Sequence, residues 1–384
     1  MRLGVEAWGL GRDLRHTGIG QYAYNLLTEL PRVAPDVELL AYGGPLEPRP
    51  EWLPESVAWR PARHAFNRRL AAIDSRLREL PGLARRDGLD AFHSTGVHVR
   101  PSFPPVPRLK IPVLTTVHDV LPLTHYRGSL RLRLRTFYRW NLGRALGSDV
   151  VLTVSEESRR EISRATGLGG AGIRVIANGV SFAANPDVGP LERLGITRPY
   201  LLYAGSYEPR KNLAGALDAF RLIATHRPHR LVAVVERHSG HAPALLERIA
   251  ALGLRERVQL VHGLSEADLR ALYTHADLLL FPSLAEGFGF PPLQAAACGT
   301  PVVASDLPVL RETMGTAAEF ADPGRPGALA EATLSLLDDP DRRRLLAELG
   351  LERARRFSVE ASVRAHATAY RAAVGARELV EAAT

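Results

Sequence analysis

The feature that most limits how this chain can fold is an alternation of short apolar runs with longer stretches of helical periodicity. The runs Leu3–Ala7, Val37–Tyr42, Ala91–Ser94, Val113–Val117, Val150–Val154 and Arg174–Ala177 read as strands. Between them, Gln21–Leu30, Asn67–Leu80, Leu130–Leu146 and Glu156–Ala165 read as helices. Runs that are apolar on both faces belong to parallel strands covered by helices. The stretch Asn178–Pro199, with NGV, NPDVGP and ITRP, is turn-rich and reads as a linker. The alternation then restarts, with strands at Tyr200–Ala204, Leu231–Val235, Val258–Val261, Leu278–Phe281 and Pro301–Ala304, and a helical tail from Pro340. The expectation is an α/β protein of two doubly wound, Rossmann-like domains facing a central cleft, with ligands at the carboxyl ends of the strands. The boundaries are residues 1–180, 181–358 and a last helix over 359–384. A length of 384 residues suits two such domains.

Composition excludes several classes. Apolar content of 46% with 23% charged residues is that of a globular protein, and no run of about 18 uninterrupted apolar residues reads as a membrane span. The N-terminus, MRLGVEAWGLGRD, lacks the apolar core of an export signal. Cys298 is the only cysteine, so no internal disulfide can form and a reducing cytoplasm is the expected setting. No Cys/His metal spacing is present. The net charge of +8 is uneven: residues 1–180 hold 26 Lys+Arg against 17 Asp+Glu, which accounts for the whole excess.

Four stretches carry chemistry. In PSLAEGFGFPPLQAAACGTPVVASD, Pro282–Asp306, one acid, Glu286, lies on a glycine-rich loop between a strand and a helix starting at Pro291 or Pro292. Such a loop exposes backbone N–H groups and receives anions or hydroxyl-rich ligands, and Gly287 and Gly289 allow close approach. An acid that complements a helix dipole is the plainer reading. In YLLYAGSYEPRKNLAGALDAF a strand runs into Gly205, and a loop delivers Arg210 and Lys211 to a helix start. Fork and point charge together suit a diphosphate; a solvated turn is the plainer reading. In RHTGIGQYAYNLLTEL, Gly18 and Gly20 resemble a phosphate-approach loop or a simple turn, and Ala23 breaks the full glycine fingerprint. In VLTTVHDVLPL, His118 and Asp119 end a buried strand, where the histidine could bond a hydroxyl or serve the fold.

The combination of TGIGQY, HDV, VSEESRREI, NGV, AGSYEPRKN, HADLLLFPSLAEGFGFPPLQAAACGTPVVAS and FSVEASV resembles, in order and over nearly the whole chain, the retaining GT-B glycosyltransferases of the large E-x(7)-E group (glycosyltransferase family 4-like, group 1). That resemblance implies a nucleoside diphosphate sugar held mostly by the second domain and an acceptor held mostly by the first. Arg210 and Lys211 would neutralise the leaving diphosphate, while Glu286 and the backbone of Gly287, Phe288, Gly289 and Phe290 would hold sugar hydroxyls. Leu264, Ser265 and Glu266 would lie by the base, Gly18 would approach the phosphate and His118 would contact the sugar. The last helix would cross back to the first domain. No metal and no further cofactor is implied, and the leaving phosphate would take the acceptor proton on the same face. The group's second glutamate falls on Gln294, an amide that still accepts and donates hydrogen bonds but makes no charge-assisted one.

The expected activity is therefore transfer of a hexose or deoxyhexose, mannose from GDP-mannose first and a UDP sugar second, onto a glycan or lipid-linked acceptor. Rival readings on the same architecture are a nucleotide-sugar epimerase, a phosphorylase, or a nucleotide-sugar-binding protein without turnover. An NAD-linked oxidoreductase is disfavoured by the missing fingerprint and its acid. The arginine-rich stretch Thr124–Leu146 is interleaved with Tyr126, Phe137, Tyr138 and Trp140 and contains no acid, which suits either a solvated helix or an anionic membrane face. Nucleic acid is not an expected partner. The expected location is the cytoplasm, with peripheral attachment to the inner membrane face open.

Overall fold

The computed structural model describes residues 1–8, 10, 17–44, 47–62, 75–97, 105–124, 129–167, 169–235 and 242–382. The chain divides into two units, Met1–Gly179 with Ser358–Thr384, and Val180–Phe357.

The first unit is built on a parallel seven-stranded sheet of order β3-β2-β1-β4-β5-β6-β7. Its strands are β1 (Arg2–Glu6), β2 (Glu38–Gly43), β3 (Ala58–Pro61), β4 (Ala91–Ser94), β5 (Val113–Thr116), β6 (Val150–Thr153) and β7 (Ile173–Val175). Val5 is in register with Ala41 on one side and His93 on the other, so the chain reverses its direction of winding between β1 and β4. The edge strand β3 is a further strand beyond those the alternation indicates. AWRP carries an arginine and ends on proline, so it lacks the apolar run that marks interior strands.

Helix α1 (Gly18–Val33) buries Tyr22, Ala23, Leu26, Leu27 and Leu30 against this sheet. It starts three residues before the expected Gln21, because the Thr17 hydroxyl accepts from Gly20 N at 3.0 Å and caps it. Gly18 and Gly20 are thus the first helical turn, not a loop. Part of the expected helix Asn67–Leu80 lies outside the described residues. Its described end runs on past Leu80, since Pro81 sits in the first turn of a helix Leu80–Arg86, where proline is tolerated. Helices α2 (Ser129–Ala145) and α3 (Glu156–Thr166) follow the expected spans within one residue at each end.

The second unit carries a parallel six-stranded sheet of order β10-β9-β8-β11-β12-β13. These are β8 (Tyr200–Ala204), β9 (Arg230–Val234), β10 (Val258–Val261), β11 (Leu278–Phe281), β12 (Val302–Ser305) and β13 (Glu319–Ala321). Strands β8 and β11 are buried along their whole length, which is why they read as unbroken apolar runs. The three-residue edge strand β13 is too short to give such a signal. Winding reverses here between β8 and β11, and helices α4 (Leu213–Ala224), α5 (Glu266–His275) and α6 (Phe290–Ala297) follow their strands.

The stretch read as a linker contains a short helix, Gly189–Arg193. A Cβ on Gly179 would lie 2.3 Å from Val359 Cα, so only glycine lets these two segments pass. After Phe357 the chain enters the first unit as α7 (Val359–Ala382), whose Val359, Val363, Ala367 and Tyr370 join the core made by β1 and α1. A buried side chain the size of Val363 contributes about 1.5–3 kcal/mol. Among the described residues no helix is long and apolar enough to cross a membrane.

Candidate functional site

In an open parallel sheet, ligands collect outside the carboxyl ends of the strands where winding reverses. In the second unit that point lies beyond β8 and β11, and the two loops there are tied together. Leu284 N donates to Arg210 O at 2.7 Å. Asn212 Nδ2 donates to Pro282 O at 3.0 Å and to Pro323 O at 2.9 Å, while its Oδ1 accepts from Gly215 N and caps α4. Asn212 holds the left-handed conformation, φ 55°, which asparagine tolerates better than most residues.

The charged groups meet between these loops. Lys211 Nζ donates to Glu286 Oε1 at 2.6 Å, and Arg210 Nη1 donates to Oε2 at 3.4 Å. Glu286 exposes 6% of its side chain, Lys211 13% and Arg210 26%. Burial alone would raise the Glu286 carboxyl, but Lys211 and then Arg210 outweigh it and hold the group below the ordinary carboxylate range. Lys211 also lies 5.5 Å over the Phe281 ring, and Arg210 Nε bonds the exposed Glu208 at 2.6 Å. The structure thus joins Arg210, Lys211 and Glu286, residues 76 apart at most, in one ion cluster in which two cations share a buried carboxylate. Glu286 is not a lone dipole complement, since its carboxylate is buried and paired.

The other expected donor residues of this unit occupy varied settings. Gly205 follows β8 directly, on the same edge. Gly287, Phe288 and Gly289 are buried; Phe288 packs against Phe290 at 5.3 Å and Phe357 at 5.7 Å. Gly289 has φ 90°, and a Cβ there would lie 2.5 Å from Leu310, so an internal reason alone requires glycine. Helix α6 begins at Phe290, one or two residues before the expected start at Pro291 or Pro292. Gln294 is half-buried on α6, where Oε1 accepts from the buried Tyr273 hydroxyl at 3.3 Å. Ser265 caps α5 through a reciprocal pair of 3.1 Å bonds with Asp268, Glu266 pairs with Arg270, and the half-buried Leu264 precedes them.

In the first unit, Gly18 opens α1 and His118 follows β5. His118 bonds the Thr95 carbonyl at 2.8 Å, and its ring meets that of Tyr22 edge-on at 4.9 Å. Burial holds its pKa below the usual histidine value, partly offset by the Thr95 bond and Asp119. Beneath it is a buried network that the sequence does not announce. The Tyr22 hydroxyl contacts His366 Nε2 at 2.7 Å and Thr116 Oγ1 at 2.8 Å, and His93 contacts Thr116 at 2.9 Å and Tyr370 at 2.8 Å. Burial drives His366 down to about 4 and His93 well below the ordinary value, so both rings are neutral near pH 7. Glu6, at the carboxyl end of β1, is a further buried acid, accepting from Ser94 Oγ at 2.7 Å. The pattern LGVE, a strand ending on an acid, was the available signal for it. Among the described residues no group of three His, Cys, Asp or Glu side chains is placed to hold a metal ion.

Comparison with known proteins joins these observations. The family "Glycosyltransferase Family 4" matches residues 16–184, and the family "Glycosyl transferases group 1" matches residues 192–353. O-antigen chain mannosyltransferase B of Escherichia coli is 32% identical over 261 residues, 64% of this chain and 67% of that protein. O-antigen chain mannosyltransferase RfbU of Salmonella typhimurium is 28% identical over 227 residues, 59% of this chain and 61% of that protein. Among solved structures, HepE of Anabaena, in complex with UDP-glucose, superposes with a TM-score of 0.76 at 18% identity, covering 97% of this chain and 100% of that one. The two parallel-sheet units are those of the GT-B fold. With one family matching each unit and a 32% identical relative matched over two thirds of its length, the chain belongs to the group 1, family 4-like glycosyltransferases.

Proposed function

We propose that this chain is a retaining glycosyltransferase that moves mannose from GDP-mannose onto a glycan or lipid-linked acceptor in cell-surface polysaccharide or glycolipid synthesis, on the cytoplasmic side of the membrane. The observation that carries the reading is the Arg210–Lys211–Glu286 cluster beyond β8 and β11. Lys211 spends one of its three donors on Glu286, and Arg210 is held beside it on the same carboxylate, so two cations stand together where a diphosphate would lie. Positive charge fixed before the donor arrives stabilises the growing charge on the leaving diphosphate and needs no divalent metal. Glu286, kept ionised by its two partners, accepts hydrogen bonds from sugar hydroxyls. The acceptor hydroxyl gives its proton to the departing phosphate, and the new glycosidic bond forms on the face the diphosphate leaves. Mannose is favoured by the two O-antigen mannosyltransferases among the relatives, whereas the UDP-glucose complex of HepE favours a UDP sugar as the second donor reading.

The test is transfer from radiolabelled GDP-mannose and UDP-glucose, with Arg210→Ala as the variant. Loss of one preorganised donor is expected to cut kcat/KM by about 100- to 1000-fold. An unchanged kcat/KM would overturn the diphosphate assignment, and label released to water without acceptor product would indicate a different reaction class.

A further inference from the structure

Asn212 follows the Arg210–Lys211 pair directly, and all of its polar groups are in use. Its backbone N–H donates to Pro209 O at 3.1 Å, and its carbonyl accepts from Ala216 N at 3.0 Å in the first turn of α4. The side-chain Oδ1 accepts from Gly215 N at 3.2 Å, while Nδ2 donates to Pro282 O at 3.0 Å and to Pro323 O at 2.9 Å. Capping a helix needs only the oxygen. The nitrogen reaches away from α4, to the loop after β11 that carries Glu286 and to the loop after β13. A Cβ on Gly215 would stand 2.5 Å from Nδ2 and 2.6 Å from Oδ1, so that glycine makes room for the amide.

The peptide that carries the two cations is pinned through its carbonyls as well. Lys211 O accepts from the Tyr203 hydroxyl at 3.1 Å, and Arg210 O accepts from Leu284 N at 2.7 Å. Asn212 is where the loops after β8, β11 and β13 are joined through one side chain. Glycine would supply the left-handed backbone without strain, yet an asparagine holds it here with φ 55°. What asparagine adds over glycine is the amide.

We propose that Asn212 is a positioning residue of the donor site, whose amide nitrogen holds Arg210 and Lys211 against Glu286 by tying their loop to the carbonyls of Pro282 and Pro323. The inference rests on the diphosphate reading of that cluster and adds a residue that acts through the two cations. Aspartate at this place keeps the shape, tolerates the left-handed backbone and caps a helix as well as asparagine does. It has no N–H, however, and sets a negative charge against two carbonyl oxygens. Glycine keeps the backbone conformation and loses both ties without adding charge. The two substitutions therefore separate tying from capping.

The test compares the full chain with Asn212→Asp and Asn212→Gly, by transfer from radiolabelled GDP-mannose and UDP-glucose and by hydrogen exchange. A clamp displaced by about 1 Å costs about 100-fold, and kcat/KM should fall by about that factor in both variants. Most of the loss should lie in kcat, because the charge that the cations meet grows as the diphosphate leaves. The Leu284 amide, bonded to Arg210 O, should exchange faster in both variants, while the α4 amides of Asn212→Asp stay as protected as in the parent. Parental kcat/KM in Asn212→Asp, or a Leu284 amide that keeps the parental rate in the variants, would overturn the proposal. So would α4 amides that open together with Leu284 in Asn212→Asp, which would reduce Asn212 to a helix cap. If the parent transfers neither sugar, the donor reading falls, and faster Leu284 exchange over an intact α4 still upholds the positioning role.

Discussion

Replacing Lys211 by methionine strips a buried carboxylate of its shorter ion pair while leaving the stem volume in place. At 2.6 Å, and with an effective dielectric of about 20, the Lys211–Glu286 attraction is about 6 kcal/mol before desolvation is subtracted. Both groups are largely out of water, so desolvation removes much of that, and Arg210 at 3.4 Å retains part of the compensation. The expected destabilisation for Lys211→Met is about 2–4 kcal/mol. Glu286→Gln should cost less, about 1–2 kcal/mol, because the freed ammonium can reach water. The double variant should be less destabilised than the sum by about 1.5–3 kcal/mol. Hydrogen exchange of the α4 amides in the four proteins measures this without requiring both units to unfold together. The pH dependence has a definite sign: the Glu286 pKa is depressed in the fold, so the pair's contribution is complete above the unfolded carboxylate value. It is lost as pH falls through the folded one. The gap between parent and Lys211→Met should therefore close in acid. Single effects that add to within about 0.5 kcal/mol would show that the two side chains are neighbours without being coupled.

The buried histidines give a separate acid effect. His366 falls from 6.5 to about 4, so stability is complete above pH 6.5 and declines toward pH 4, by about 3 kcal/mol for this group alone. Melting of the first unit should drop over that window and drop less in His366→Gln; a flat profile would rule out a neutral, buried ring. Gln294→Leu leaves the Tyr273 hydroxyl without its 3.3 Å acceptor and should cost about 1–3 kcal/mol, whereas Gln294→Glu keeps an acceptor and should tighten nucleotide-sugar binding. A leucine variant as stable as the parent and as tight for nucleotide would remove both roles from the amide.

What the sequence made legible was whatever depends on local order. Interior strands such as β8 and β11 are apolar on both faces and stand out, while edge strands β3 and β13 bury less and do not. Glycines suggest a turn at the start of α1, yet the cap that fixes the helix start is Thr17, one residue before Gly18. The cations and Glu286 were readable as residues at strand ends, but their mutual pairing required the fold, which brings positions 75 and 76 residues apart into contact. Asn212 inside RKN carries a local signal of its own, since an asparagine before a helix caps it. The Tyr22–His366 contact spans 344 residues, and no local pattern anticipates a bond of that reach.

The seating of α7 in the core of the first unit makes the second unit an insertion in a discontinuous one. A ribosome that has released the first 179 residues has yet to make Val363, Ala367 and Tyr370, so the N-terminal sheet emerges with an open side. The inserted unit, continuous from Val180 to Phe357, can close on its own while its neighbour waits. Order of synthesis and order of completion are then opposite: the part made first is finished last. A chain stopped near residue 357 would hold every residue of the ion cluster and still lack a sealed first unit, leaving an apolar wall open to proteolysis and aggregation.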